Sequence, residues 1–145
     1  FVHAQTLGGY LGEVKGGDRA PSHISPLMVS KDGQPILGLG AAGGARIPSS
    51  IVAVVSRIID QGSSLESAMT MPRVHPVENG IDIEFTGSDG FTLADSAYFA
   101  SLGHKVTVKR QKARFGRIHA VMKNENGWTG VADPDWEGHA ASPDR

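Results

Sequence analysis

An α+β fold, a mostly antiparallel sheet carrying a helical layer, is what this sequence of 145 residues predicts. Three observations lead there. Short apolar or alternating runs pair into hairpins at 27–39 and 118–132, each with turn residues between its strands. Residues 47–71 hold two adjoining helical patterns separated by a glycine stop. Two further alternating runs, at 81–85 and 105–109, flank a third helical pattern. No internal repeat and no linker divides the chain, so residues 1–145 are expected to form a single domain piece.

Taken in order, residues 1–26 carry five glycines and two prolines and read as loop, with room for one short strand. Leu27–Ser30 and Pro35–Leu39 then make a hairpin about Asp32-Gly33, and their nearly continuous apolar character predicts burial on both faces. In the helix expected over 47–59, Ile47, Ile51, Val54, Val55 and Ile58 share one face, Pro48 fits the first turn and Gly62 the stop. Ser63 to Glu66 has capping-box spacing, and Pro72 disfavours helical geometry in the residue before it, so a second helix ends near Met71. Ile81–Phe85 alternates and predicts a half-exposed strand. Thr92 with Asp95 caps a helix to Leu102, stopped by Gly103. Strands follow at 105–109, 118–122 and 128–132, and the tail from Asp133 is loop.

Composition narrows the function. With 14 basic against 15 acidic residues, no basic stripe invites nucleic acid or an anionic membrane. Apolar runs such as Ile51–Val55 are far too short to span a bilayer. The absence of cysteine removes disulfides, a thiol nucleophile and a thiolate metal site. The six histidines, at 3, 23, 75, 104, 119 and 139, include no i, i+4 pair, and no metal site is expected. The first residue is Phe1 rather than Met, as expected of a processed or trimmed chain, so a missing leader here says nothing of the precursor.

The stretch Gly38–Arg46 has four glycines among nine residues, set between a strand and a helix. Such a turn aims free N–H groups and the positive end of a helix dipole at one spot, where an anion can sit. Three readings stay open at this level: a dinucleotide fingerprint, since 38–43 satisfies G-x-G-x-x-G; a purely structural turn; and an oxyanion hole. Against the first, Pro48 would fall inside the fingerprint's helix, and no acidic residue ends a second strand.

Read end to end, the motifs resemble the C-terminal part of the small subunit of the gamma-glutamyltransferase (gamma-glutamyltranspeptidase) family. Arg19-Ala20-Pro21-Ser22-His23-Ile24-Ser25-Pro26 is similar to that family's R-P-L-S-S-M-S-P. Lys31-Asp32-Gly33 and Gly40-Ala41-Ala42-Gly43-Gly44-Ala45-Arg46-Ile47 resemble its K-D-G hairpin and G-S/A-x-G-G-x-R-I loop. Asp60-Gln61-Gly62, Pro72-Arg73-Val74-His75, Glu84, Leu102-Gly103-His104-Lys105-Val106, Phe115-Gly116 and Ala132-Asp133-Pro134 follow at the family's spacing. It is their shared order over residues 19–141, not any one of them, that makes the resemblance specific.

The resemblance implies part of an αββα N-terminal-nucleophile hydrolase sandwich. It also implies gamma-glutamyl acyl transfer or hydrolysis without a cofactor: a terminal threonine whose own amine is its base attacks the gamma-glutamyl amide, and a glycine pair stabilises the oxyanion. Carried over, Gly43 and Gly44 would be those donors, and losing one such donor typically costs about 3 to 4 kcal/mol of barrier. The family's paired serines hold the substrate carboxylate; here they are Ser22 and His23, and a histidine can also donate to a carboxylate. Asp133-Pro134-Asp135 departs from the family's D-P-R, so that arginine's role is lost. No T-T-H-like start precedes Ser22, so the chain resembles the back portion of a small subunit, inactive alone. Its partners would be a large subunit, the missing N-terminal part of the small subunit and a small gamma-glutamyl substrate. Copies could also associate through exposed apolar surface, and the compartment implied is periplasmic or extracellular. Two alternatives share the fold: a non-catalytic binding protein, and an amidase or acylase acting on a different side chain.

Overall fold

The computed structural model describes residues 15–17, 19, 22–85, 90–110 and 115–141. It holds seven strands in two sheets, among the described residues: β1 (Leu27–Lys31), β2 (Gln34–Ala42), β3 (Val74–Val77), β4 (Gly80–Glu84), β5 (Val106–Lys109), β6 (Arg117–Asn124) and β7 (Gly127–Ala132). Helices are α1 (Ile47–Ile59), α2 (Leu65–Thr70) and α3 (Leu93–Ser101), with one 3₁₀ turn at Gly44–Arg46. The larger sheet runs β1-β2-β6-β7 and is antiparallel throughout; the smaller runs β3-β4-β5, with β4 and β5 parallel.

Local chemistry explains most of these elements. Asp32 and Gly33 both take positive φ, 52° and 75°, the geometry of the tight turn that matches strand twist. Helix α1 begins at Ile47 with Pro48 in its first turn, where a missing N–H costs nothing. Thr92 and Asp95 form a reciprocal capping box on α3. The expected box from Ser63 to Glu66 shifts by one residue: Ser64 is the N-cap of α2 and accepts from the Ser67 N–H.

The core lies between one face of the larger sheet and the two helices that follow β2. Leu37, Leu39, Ile118 and Ala120 meet Ile47, Ile51, Val54 and Ile58 of α1, and Leu65, Ala68 and Met69 of α2. Arg57 fastens the helices together, donating to the carbonyls of Ala68, Met71 and Pro72 at the end of α2.

Two burial expectations are corrected. β1 and β2 are not covered on both faces: β1 is an edge strand with Met28 70% exposed, and β2 buries only alternate residues. The sheet's other face, carrying Met28, Val121 and Trp128, is left uncovered by α1 and α2, with Gly138 and Ala140 of the tail lying against His119 and Gly130. Conversely, β4 is buried on both faces, since Asp82 and Glu84 point into ion pairs rather than solvent. Strand β3 has no counterpart in the predicted elements; its Pro76 is tolerated because β3 is an edge of its sheet.

Strand register gathers distant segments at one end of the larger sheet. Leu27 pairs with Leu39, so residues 22–26 enter where β2 ends. Ala42 pairs with Arg117 and His119 with Ala132, bringing Phe115-Gly116 and Asp133 to the same end.

Candidate active site

The glycine turn is built at that end. β2 keeps its ladder to Ala42, so Gly38 and Gly40 sit within the sheet, opposite Val121 and His119. The turn therefore comes after Ala42, three residues later than expected after Leu39, and the fingerprint glycines do not form a phosphate-binding loop. Gly43 has φ 144° and ψ 19°, a conformation open to glycine, and Gly44 has φ 58°. Arg46 N–H donates to the Gly43 carbonyl at 3.2 Å and Ile47 N–H to that of Gly44, which closes the 3₁₀ turn before α1. Among the described residues, no acceptor is found for the Gly43 or Gly44 N–H. Two free donors thus precede the positive end of a 13-residue helix.

Behind the turn stands Gly116. A Cβ on Gly43 would lie 2.9 Å from the Gly116 Cα, and a Cβ on Gly116 would lie 2.8 Å from both the Arg46 carbonyl oxygen and Ser50 Oγ. Glycine at both places allows backbone to stack on backbone. Gly116 is in turn fixed from two sides: its N–H donates to buried Ser50 Oγ at 3.0 Å, and its carbonyl accepts from Arg73 at 2.6 Å.

Arg73 is the hub of this arrangement. Only 3% exposed, it donates Nε to Glu84 Oε2 at 3.1 Å and a terminal nitrogen to Asp133 Oδ2 at 2.9 Å. Its backbone N–H also donates to Glu84 Oε2. Asp133 completes its shell with the Ile118 and Asp135 N–H groups. Burial opposes charge on Arg73, but Glu84 and Asp133 outweigh it and hold its pKa above the ordinary value. Burial lifts the Glu84 pKa above the usual carboxylate range, with Arg73 opposing and Asp135 adding to the rise. Two donors from Arg73 on the one Glu84 oxygen favour the ionised carboxylate, so we take the pair as charged.

A second polar group lies on the other side. Asp82 meets Arg46 through Oδ2 and Lys109 through Oδ1, each at 3.4 Å. His75 faces Asp82 across the β3–β4 pair and has Nδ1 2.8 Å from Ser49 Oγ. Burial, then repulsion from Arg46, lowers the His75 pKa, with Asp82 opposing.

Ser22 and His23 lie in the exposed lead into β1. Ser22 Oγ accepts from the Ile24 N–H at 3.3 Å, and the His23 carbonyl accepts from Ser25 Oγ at 2.9 Å. They share the sheet end with Gly43 and Gly44, yet among the described residues no hydrogen bond joins the two pairs. No group of three or more histidine or acidic side chains converges as a metal site among the described residues.

The sequence profile of the gamma-glutamyltranspeptidase family matches residues 10–142. The chain belongs to the gamma-glutamyltranspeptidase family. It is 30% identical over 129 residues to the glutathione hydrolase proenzyme of Escherichia coli, which spans 88% of this chain and 21% of that protein. The chain therefore covers about a fifth of the length of the glutathione hydrolase proenzymes of Bacillus subtilis and Escherichia coli. The gamma-glutamyltranspeptidase of Pseudomonas nitroreducens, solved with L-DON, superposes with a TM-score of 0.77 at 27% identity, over 94% of this chain and 72% of that one. The cephalosporin acylase of Bacillus halodurans superposes with a TM-score of 0.74 at 27% identity, over 87% of this chain and 25% of that one. The fold is thus part of the N-terminal-nucleophile hydrolase sandwich that the resemblance implied.

Family membership sharpens what sequence reading missed. Arg73, from Pro72-Arg73-Val74-His75, joins one residue from each of the three other motifs: Glu84, Gly116 of Phe115-Gly116 and Asp133 of Ala132-Asp133-Pro134.

Proposed function

We propose that this chain is the part of a gamma-glutamyl transferase or hydrolase that supplies the oxyanion hole, through the backbone N–H groups of Gly43 and Gly44. The observation that carries this reading is the pair of free donors held by positive-φ glycines ahead of a proline-started helix. In the assembled enzyme a threonine hydroxyl, outside this chain, adds to the gamma-glutamyl carbonyl carbon. The carbonyl π pair moves onto oxygen, where the two N–H groups receive it, and the threonine's amine takes the hydroxyl proton. Collapse restores the carbonyl and breaks the amide C–N bond, the threonine ammonium giving that proton to the substrate's leaving amine; water or an acceptor amine then releases the glutamyl group by the reverse steps. Ser22 and His23 would hold the substrate carboxylate, and the fragment by itself would be inactive.

The test uses the full-length protein and a chromogenic gamma-glutamyl anilide. Gly44→Ala meets no neighbouring atom, yet L-residues at φ 58° relax toward negative φ and carry the N–H with them. Loss of one donor is expected to lower kcat by ~10²- to 10³-fold with KM little changed. Wild-type kcat in that variant would defeat the assignment. The likeness to a cephalosporin acylase and the histidine at position 23 favour a second reading, acylase action on another side chain. Comparing kcat/KM for gamma-glutamyl and non-glutamyl anilides separates the two.

A further inference from the structure

We propose that Ser49 and His75 are positioning residues that hold the glycine turn in its donor geometry, acting on the carbonyl of Arg46; the inference rests on the oxyanion reading above.

Ser49 Oγ lies 3.2 Å from the Arg46 carbonyl oxygen and 2.8 Å from His75 Nδ1. A hydroxyl has one proton. If Oγ gives it to the carbonyl, Nδ1 must carry the second, and a chain forms: Nδ1–H to Oγ, then Oγ–H to the Arg46 carbonyl. Neutral His75 in the Nδ1–H tautomer satisfies every member, and its depressed pKa is consistent with that neutral form.

The carbonyl so held belongs to the last residue of the 3₁₀ turn. Its predecessors, Gly43 and Gly44, have their carbonyls engaged by Arg46 N–H and Ile47 N–H. Fixing the Arg46 carbonyl therefore fixes the peptide plane that closes the turn, and with it the direction of the two free N–H groups. The same residue is tied by its side chain to Asp82, which stands directly across from His75 in the sheet. Backbone and side chain of Arg46 are thus fastened to neighbouring strands, β3 and β4, so the turn cannot swing away from the smaller sheet without breaking both. Neither Ser49 nor His75 reaches the open donors, which is why the role is positioning rather than chemistry.

The experiment compares Ser49→Ala, Ser49→Thr, His75→Leu, His75→Asn and Gly44→Ala in the full-length mature protein, reading kcat, KM and Tm. Misplacement of the donors is expected to lower kcat by about 10- to 100-fold in Ser49→Ala and His75→Leu while KM stays within about twofold. Ser49→Thr keeps the hydroxyl and His75→Asn keeps an N–H donor near the Nδ1 position, so both restore most of kcat. If Ser49→Ala fails to fold, the His75→Leu and His75→Asn pair decides alone. Wild-type kcat in Ser49→Ala and His75→Leu beside an impaired Gly44→Ala would overturn the positioning role and leave the oxyanion hole standing. A lowered Tm with kcat unchanged per active site would overturn it likewise. Wild-type kcat in all three would remove the oxyanion reading and this inference with it.

Discussion

Removing the Arg73 side chain breaks the buried network that holds Gly116 behind the glycine turn. Arg73→Met keeps much of the volume and takes away a cation held by two buried carboxylates and a carbonyl. Glu84 would keep one donor, the residue 73 N–H; Asp133 would keep the Ile118 and Asp135 N–H groups; the Gly116 carbonyl would lose the Arg73 donor. Breaking a buried pair by deleting one partner costs about 3 to 5 kcal/mol, because the other charge is left uncompensated. At roughly 2 to 4 °C per kcal/mol for a domain of 150 to 250 residues, Tm is expected to fall by about 6 to 20 °C.

The deficit carries a pH signature. Without the arginine side chain, burial and then the charge of Asp135 hold the Glu84 folded pKa above the unfolded one, opposed only by the residue 73 N–H. A carboxyl raised in this way binds more protons folded than unfolded, so stability increases as pH falls through the folded pKa toward the unfolded value. The gap between Arg73→Met and wild type should therefore narrow on acidification, as read by thermal melts of the full-length protein between pH 7 and 5. Arg73→Lys keeps the charge but not the fork that spans three acceptors, and should recover only part of the loss. A Tm within about 2 °C of wild type, or a gap that does not change with pH, would refute the view of Arg73 as a structural hub.

Gly116→Ala puts a methyl group 2.8 Å from the Arg46 carbonyl and Ser50 Oγ; overpacking of about 1 to 3 kcal/mol and a reduced kcat are expected, measurable by melting and steady-state kinetics. His75 has a folded pKa below the unfolded one, so wild-type stability should be constant above the ordinary histidine pKa of about 6.5 and decline as pH drops below it. His75→Asn should flatten that part of the stability profile. On the open sheet face, Val121→Lys is expected to lower the Tm of the full-length protein if another layer packs there, whereas a surface position would tolerate lysine within about 0.5 kcal/mol.

What could be read from sequence follows from the range of the interactions. The hairpin about Asp32-Gly33, the start of α1 at Pro48 and the Thr92–Asp95 box depend on residues at most a few positions apart, and each stands where its local chemistry placed it. The parallel pairing of β4 with β5 is set by packing across an intervening helix, which no local pattern encodes. β3 escaped because prolines at 72 and 76 mask a four-residue edge strand, although Asn79-Gly80 offered a turn signal beside it. Alternation in β4 is real but does not mean exposure: Glu84 faces the buried Arg73, and Asp82 faces the half-buried Arg46 and Lys109, rather than water. At the site, four glycines in nine residues mark the turn, although the backbone calls for glycine only at Gly43 and Gly44, whose φ is positive. Arg73 was not legible, since its partners lie 11, 43 and 60 residues along the chain.

The open sheet face bears on the chemistry as well as on assembly. A backbone N–H directed at water gains little by turning to a developing oxyanion, because it exchanges one hydrogen bond for another; the gain is large only where water is excluded and the donor is already aimed. Gly43 and Gly44 are half-buried, at the end of a sheet whose second face, with Met28, Val121 and Trp128, is uncovered by α1 and α2. On the proposed reading, the layer that covers this face also brings the threonine and lowers the dielectric around the turn. Aim and exclusion of water then have separate origins. The first is built into this chain by Gly116, Ser49 and the Arg73 hub, and the second arrives with the rest of the sandwich. Substitutions at the hub should therefore disturb the direction of the donors, whereas substitutions on the open face should weaken both donors equally by admitting water, with the turn itself unchanged.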